Sequence, residues 1–195
     1  MTKKKIFTVP LKRKKQGRTD YNNRLHSLMS KHPRLVVRKS NKNMQVQLIK
    51  YGEKGDIIIK TFHTKHLNKY GWDINCGNIP AAYLVGYLAG LSLKGEEAIL
   101  DIGLQAPIRG SRIFAVVKGA HDGGLKIKFS EEILPKAERL SGKHIAEFSK
   151  LVNKKKLFSG NLKNKKDPEV FKNTTSVNGL DSYRLNIVER KESID

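Results

Sequence analysis

The residues best suited to do chemistry in this chain are cations. KRKKQGR supplies Lys12, Arg13, Lys14, Lys15 and Arg18, and Tyr21, Arg24, Arg34, Arg38, Lys39, Ser40, Asn41 and Lys42 follow within two dozen positions. On a strand, Arg34, Val36 and Arg38 share one face because side chains alternate, and Lys39, Ser40, Asn41 and Lys42 form the turn after it. Cations for phosphates, amides and a hydroxyl for ribose oxygens, and a ring for stacking are what contacts to structured RNA require. The bland alternative is a solvated basic surface. Against it, residues 1–18 contain no acid at all. A second basic turn, Arg109–Gly110–Ser111–Arg112, stands where a helix is expected to open. Backbone amides at a helix N-terminus suit a phosphate, although Gly110 equally suits a plain turn.

The acidic and metal-binding residues argue less. A metal-dependent nuclease would need several carboxylates around its ions, and Asp101, Asp122 and Asp73 form no such motif. A lone aspartate at a strand end is more often a structural acceptor. His63 and His66 with Cys76 invite a zinc site, but structural zinc takes four ligands, usually from paired Cys and His, and the chain has one cysteine. His121 and Asp122 are expected to diverge as helix neighbours. GxSxG and GxxxxGK[ST] are both absent. The sequence therefore predicts no catalytic residue, no metal and no cofactor.

Charge fixes the class of partner. The 39 Lys and Arg against 18 Asp and Glu leave +21 over 195 residues. Such a field calls for a polyanion, and phosphates neutralised by Lys or Arg release condensed counterions. An acidic membrane surface is the competitor. The longest apolar run, Ile79–Leu93, falls short of the ~20 residues needed to span a bilayer, and MTKKKIFTVPLKRKKQ lacks the apolar core of a secretory signal. A cytoplasmic protein is expected, and the single Cys76 fits a reducing compartment.

The elements that must position these residues read as follows. Residues 1–18 are a basic N-terminal arm, disordered in isolation, with Ile6, Phe7, Val9 and Leu11 as points that pin it to a surface on binding. Thr19 caps a short amphipathic helix carrying Tyr21, Leu25, Leu28 and Met29, which Pro33 ends. RLVVRKS, MQVQLIKY and DIIIKTFH are strands joined by turns at SNKN and GEKGD, with Gln45 and Gln47 on the wet face. After a helical turn in HTKHLNKYGW, Asn78 and Pro80 open a buried helix whose Ala81, Ala82, Gly86, Ala89 and Gly90 bring it close to the sheet. EAILDIGL is a buried strand, and SRIFAVVKGAHDGG a helix with Ser111 near its cap. A parallel crossover and a mixed sheet with helices on both faces result. SGKHIAEFSKLV is a last helix with Ile145, Phe148 and Val152 on one face, and residues 153–195 form a peripheral C-terminal tail. The folded domain thus spans residues 19–152.

FTVPLKRKKQGRTDYNNRL, PRLVVRKSNKN, KYGW, GNIPAAYLVGYLAG, AILDIGLQAP, GSRIFAVVKGAHDGGL, SEEILP and GKHIAEF occur in order over most of the chain, and LFSGN follows. Together they resemble the ribosomal protein L eighteen family of the large subunit in its archaeal form, whose eukaryotic relative is L five. The resemblance implies a three-layer α/β/α domain of ribonuclease H-like topology with no enzymatic activity. It also implies binding to 5S rRNA in the central protuberance, with large-subunit rRNA and neighbouring ribosomal proteins as further partners. Carried over position by position, it assigns RNA contact to the cationic and turn residues named above from Lys12 to Lys42, and to Asn78, Arg109, Ser111 and Arg112. The chain also departs from the family pattern. Lys128 and Phe129 replace a Pro-His pair before SEE, and Cys76 replaces a Thr, which removes a hydroxyl.

Overall fold

A computed structural model describes residues 9–72, 74–148 and 187–188. The three Val/Ile-rich runs form β1 (Arg34–Lys39), β2 (Met44–Gly52) and β3 (Gly55–His63), an antiparallel meander. Ser40 makes the first turn, its amide donating to the Asn43 carbonyl at 2.9 Å and its hydroxyl to the same oxygen at 3.0 Å. β4 (Ile99–Asp101) then runs parallel to β1, setting Arg34 against Ile99 and Val36 against Asp101. The sheet is thus mixed, in the order β3-β2-β1-β4. The strand expected in EAILDIGL shortens to three half-buried residues. Its chain turns away where the Gly103 amide donates to the Asp101 carboxylate at 2.8 Å and Gly103 takes φ +63°.

Alternation divides the sheet into two unlike faces. Leu35, Val37, Met44, Val46, Leu48 and Phe62 join the main apolar cluster, whereas Arg34, Val36, Arg38, Gln47 and Ile49 point the other way. Gln45 and Gln47 stay half-exposed, as their spacing predicts.

Two helices complete that cluster, α3 (Ile79–Ser92) and α4 (Arg112–Asp122). α3 is apolar all round and buried along most of its length, the signature of a helix inside a core. Asn78 Oδ1 accepts from the Ala81 amide at 2.8 Å and Pro80 lies in the first turn, so the start of α3 follows the sequence reading. The two glycines of α3 serve a different neighbour from the one expected. A Cβ on Gly86 would meet the Val116 carbonyl oxygen at 2.2 Å, one on Gly90 the Ala120 oxygen at 2.3 Å, and one on Gly119 the Tyr83 oxygen at 2.1 Å. These glycines bring α3 against α4, not against the sheet. Beyond α4, residues 95–98 and 124–126 exchange backbone hydrogen bonds and form an isolated parallel bridge, Glu97 to Lys126.

The periphery corrects several expectations. Lys12–Lys15 make one helical turn, α1, within the arm expected to be disordered. Val9 and Leu11 are exposed there, and Ile6 and Phe7 lie outside the described residues. The next helix, α2 (Tyr21–Met29), is capped by Asp20 rather than Thr19, the Asp20 carboxylate accepting from the Asn22 and Asn23 amides. Leu25 and Met29 face solvent, because the inward side of α2 is polar. Gly142, at φ +80°, caps α5 (Ala137–Ser141). The expected last helix begins after it, at 143–148, with Ile145 half-buried but Phe148 exposed. Val152 lies outside the described residues. Ile187, in the segment read as a peripheral tail, is 1% exposed and belongs to the core.

Candidate nucleic-acid interface

Three stretches expected to contact RNA meet at one end of the sheet through Arg112. From the first residue of α4, its Nη1 donates to the Gly77 carbonyl at 2.8 Å and the Ser40 carbonyl at 3.2 Å. Gly77 packs against the β1–β2 turn so closely that a Cβ would meet the Asn41 carbonyl oxygen at 2.7 Å. Ser40, Asn41, Gly77, Asn78, Ser111 and Arg112 are therefore neighbours, although the sequence spreads them over about seventy positions. Lys39, Ser40, Asn41 and Lys42 are all exposed. Charge-assisted bonds from a guanidinium are the strong kind, and here they are spent on holding backbone. Arg109, by contrast, projects outward, with Glu132 4.0 Å away across a largely exposed pair of little energetic weight. Ser111 Oγ is buried without a hydrogen-bond partner among the described residues.

The sequence did not reveal what fixes this turn. Thr64, fully buried, accepts from the Met44 amide at 3.1 Å and donates to Asn43 Oδ1 at 3.3 Å. Gln105 reaches the end of β1, its Nε2 donating to the Val37 carbonyl and its Oε1 accepting from the Lys39 amide.

On the other side of β1, the arginines form a chain of ion pairs. Asp56 Oδ2 lies 3.0 Å from Arg24 Nη2 and 2.8 Å from Arg34 Nη2. Asp101 Oδ2 lies 2.8 Å from Arg34 Nη1, and its Oδ1 3.2 Å from Arg38 Nη2. Arg38 Nη1 also donates to the Asp101 carbonyl at 2.8 Å. Arg34, with a side chain 4% exposed, is thus placed in the interior between two aspartates. The Nη2 contact with Asp56 is ionic but lacks hydrogen-bond geometry, and Nε has no partner among the described residues. Arg38 keeps 41% of its side chain exposed and Arg24 34%.

Nearer the arm, Arg13 Nε donates to Thr19 Oγ1 at 2.9 Å, tying α1 to the start of α2. Lys12, Lys14, Lys15 and Arg18 are exposed, and Tyr21 is half-buried.

Asp101 is the carboxylate a nuclease would have used. Two guanidinium groups and the Gly103 amide already occupy it. His121 and Asp122 do approach, Nδ1 to Oδ1 at 3.7 Å, contrary to the expectation that they diverge. Asp122 is held there by the Tyr83 hydroxyl at 2.9 Å and Lys118 at 3.0 Å. His63 and His66 cap the 3-10 helix Thr64–Tyr70, His63 Nδ1 accepting from the Lys65 amide and His66 Nδ1 from the His63 amide. Partial burial, then the charges of His66 and Lys65, lowers the His63 pKa. Among the described residues, no three His, Cys, Asp or Glu side chains gather as metal ligands, and no helix is long and apolar enough to cross a membrane. The departures from the family pattern are absorbed locally. Cys76 Sγ sits 3.6 Å from the Thr64 carbonyl, and Phe129 meets His121 edge-on at 5.1 Å.

The large ribosomal subunit protein uL18 of Haloarcula marismortui is 44% identical over 168 residues, which cover 85% of this chain and 89% of that protein. The family described as ribosomal large subunit proteins 60S L5 and 50S L18 matches residues 5–96 and 92–130, a span that holds every candidate contact from Lys12 to Arg112. The chain belongs to that family of large-subunit ribosomal proteins.

Proposed function

We propose that this protein is a non-catalytic constituent of the large ribosomal subunit that binds 5S rRNA and helps attach it to the large-subunit rRNA, forming the central protuberance. Neighbouring ribosomal proteins complete its surroundings, and the cytoplasm is its compartment. The observation that carries the reading is the clip made by Arg112. It joins the exposed Ser40–Lys42 turn to the loop before α3, so that cations and amides from two distant stretches present one preformed surface. Folded RNA is recognised by shape and by phosphate and 2′-hydroxyl contacts, which a fixed array serves better than a mobile one.

Roles divide by exposure. Lys12, Lys14, Lys15, Arg18, Lys39, Lys42 and Arg109 neutralise phosphates, while Ser40, Asn41 and Tyr21 add hydroxyl, amide and ring contacts. Arg24 and Arg38 contribute their exposed portions. Arg13, exposed beside Thr19, adds a further cation, Asn78 and Ser111 flank the contact surface, and Arg34 and Arg112 position it from within. For the fold, we read a three-layer α/β/α arrangement of ribonuclease H-like topology. The order β3-β2-β1-β4, with β2 antiparallel and the Glu97–Lys126 bridge as the rudiment of a fifth strand, supports it.

The test is 5S rRNA binding by the full chain across a salt series. The double variant Lys39→Ala/Lys42→Ala should weaken binding and reduce the slope of log K against log salt by about 0.7–0.9 for each phosphate it no longer neutralises. An unchanged affinity and slope would remove this turn from the interface.

A further inference from the structure

The polar face of the sheet does not close against α2. Between them lies a cleft of about 560 Å³, within the roughly 300–1,000 Å³ range of sites that enclose a small organic group. Its walls are of two kinds. Val36, Ile49 and Leu104 offer apolar surface, and Arg13, Arg18 and Arg38 bring guanidinium groups beside it. Asn23 and Gln47 add amides that both donate and accept.

Charge within the cleft is unevenly spent. Five arginines line it against three aspartates. Asp56 and Asp101 are engaged by Arg24, Arg34 and Arg38, and the Asp20 carboxylate caps α2. Arg13 and Arg18 are exposed and have no ion-pair partner among the described residues. The buried Arg34 also retains an Nε donor without a partner. A bare anion would leave the apolar wall unused, and a purely apolar ligand would leave two cations unanswered. A nucleotide has a flat base that stacks on apolar side chains and guanidinium planes, polar edges for amides, and a phosphate for free arginines.

We propose that this cleft receives one unstacked nucleotide of the bound RNA, its base against Val36, Ile49 and Leu104 and its phosphate near Arg13 and Arg18. The inference rests on the rRNA-binding reading above and adds a second mode to it. The Ser40–Lys42 turn reads RNA from outside, whereas the cleft takes a single base into the protein. The cleft opens beside α1 and α2, so the cationic residues of that end of the molecule flank its occupant.

Methyl NMR of the full chain with labelled Ile, Leu and Val tests the idea, using adenosine monophosphate, adenosine and inorganic phosphate as probes, with 5S rRNA binding measured alongside. Adenosine monophosphate and 5S rRNA should both move the Val36, Ile49 and Leu104 methyl signals, and inorganic phosphate should not. Leu104→Glu, at a position 59% exposed, should weaken adenosine monophosphate binding about tenfold. Methyl signals that stay still while 5S rRNA binds would overturn the cleft assignment and leave the proposed function standing. Equal shifts from phosphate alone, or an unchanged affinity in Leu104→Glu, would overturn it as well. If 5S rRNA does not bind the wild-type chain, the reading beneath the inference falls and the inference with it.

Discussion

The two faces of one sheet are held by opposite means. On one, Leu35, Val37 and Val46 meet helices brought together by glycines, and no charge intervenes. On the other, Arg34 sits equally deep but among aspartates, and the layer above it stands off across a cleft. Dispersion and apolar burial do not depend on the identity of one partner, whereas a buried guanidinium does. In a chain with a net charge of +21, this contrast separates basic residues that build the domain from those that face outward. Position along β1 makes the separation, because Arg34 opens the strand buried between two aspartates whereas Lys39 ends it exposed and outside the ion-pair chain among the described residues.

The contrast can be broken from either side. Asp101→Ala strips the buried Arg34 of a counter-charge and should lower the unfolding free energy by about 3–5 kcal/mol in urea denaturation. A midpoint equal to wild type would mean that Arg34 is not held as described. On the apolar face, Gly119→Ala forces α4 away from the Tyr83 carbonyl and should cost about 1–3 kcal/mol by the same measurement. High salt should leave the effect of Gly119→Ala unchanged. Arg112→Met should weaken 5S rRNA binding severalfold while preserving its salt slope, because the side chain it removes orders backbone and touches no phosphate in our reading. A slope that fell with the affinity would make Arg112 a contact instead.

The smallest effect concerns pH. Because the folded state holds the His63 pKa below its ordinary 6.5, the neutral form is favoured on folding. Its contribution is present above pH 6.5 and is lost as pH falls through the lowered folded value. His63→Asn should therefore flatten the loss of stability in that acidic window, as read by thermal melts at successive pH values. His144, also lowered by burial and by Arg139, should leave a residual slope.

Local chemistry was the legible part of the sequence. The cap at Asn78, the buried run of α3, the meander and its turns could all be read because each depends on residues a few positions apart. What failed to show depends on distant partners. Nothing in RLVVRKS distinguishes Arg34 from Arg38, because the difference lies in Asp56 and Asp101, one of them 67 residues away. The α3 glycines revealed that something comes close, but the neighbour is set by α4. Leu25 and Met29 looked like an inward stripe because helical spacing cannot say which side of α2 faces the molecule. Ile187 was missed because Leu185, Ile187 and Val188 are too few, after a polar Lys-rich stretch, to establish a period. For the candidate interface, the cationic stretches were visible, and the clip that joins them was not.

The separation of 67 residues between Arg34 and Asp101 also has a meaning in time. At the usual ~5–20 residues per second of synthesis, Arg34 is made roughly 3–13 seconds before Asp101 exists. Through that interval β1 and β2 can pair, but the parallel neighbour that closes β1 on its far side has not been made. Until then Arg34 has Asp56 but not Asp101 as a counter-charge, and the polar face is the last part of the sheet to acquire its native electrostatics.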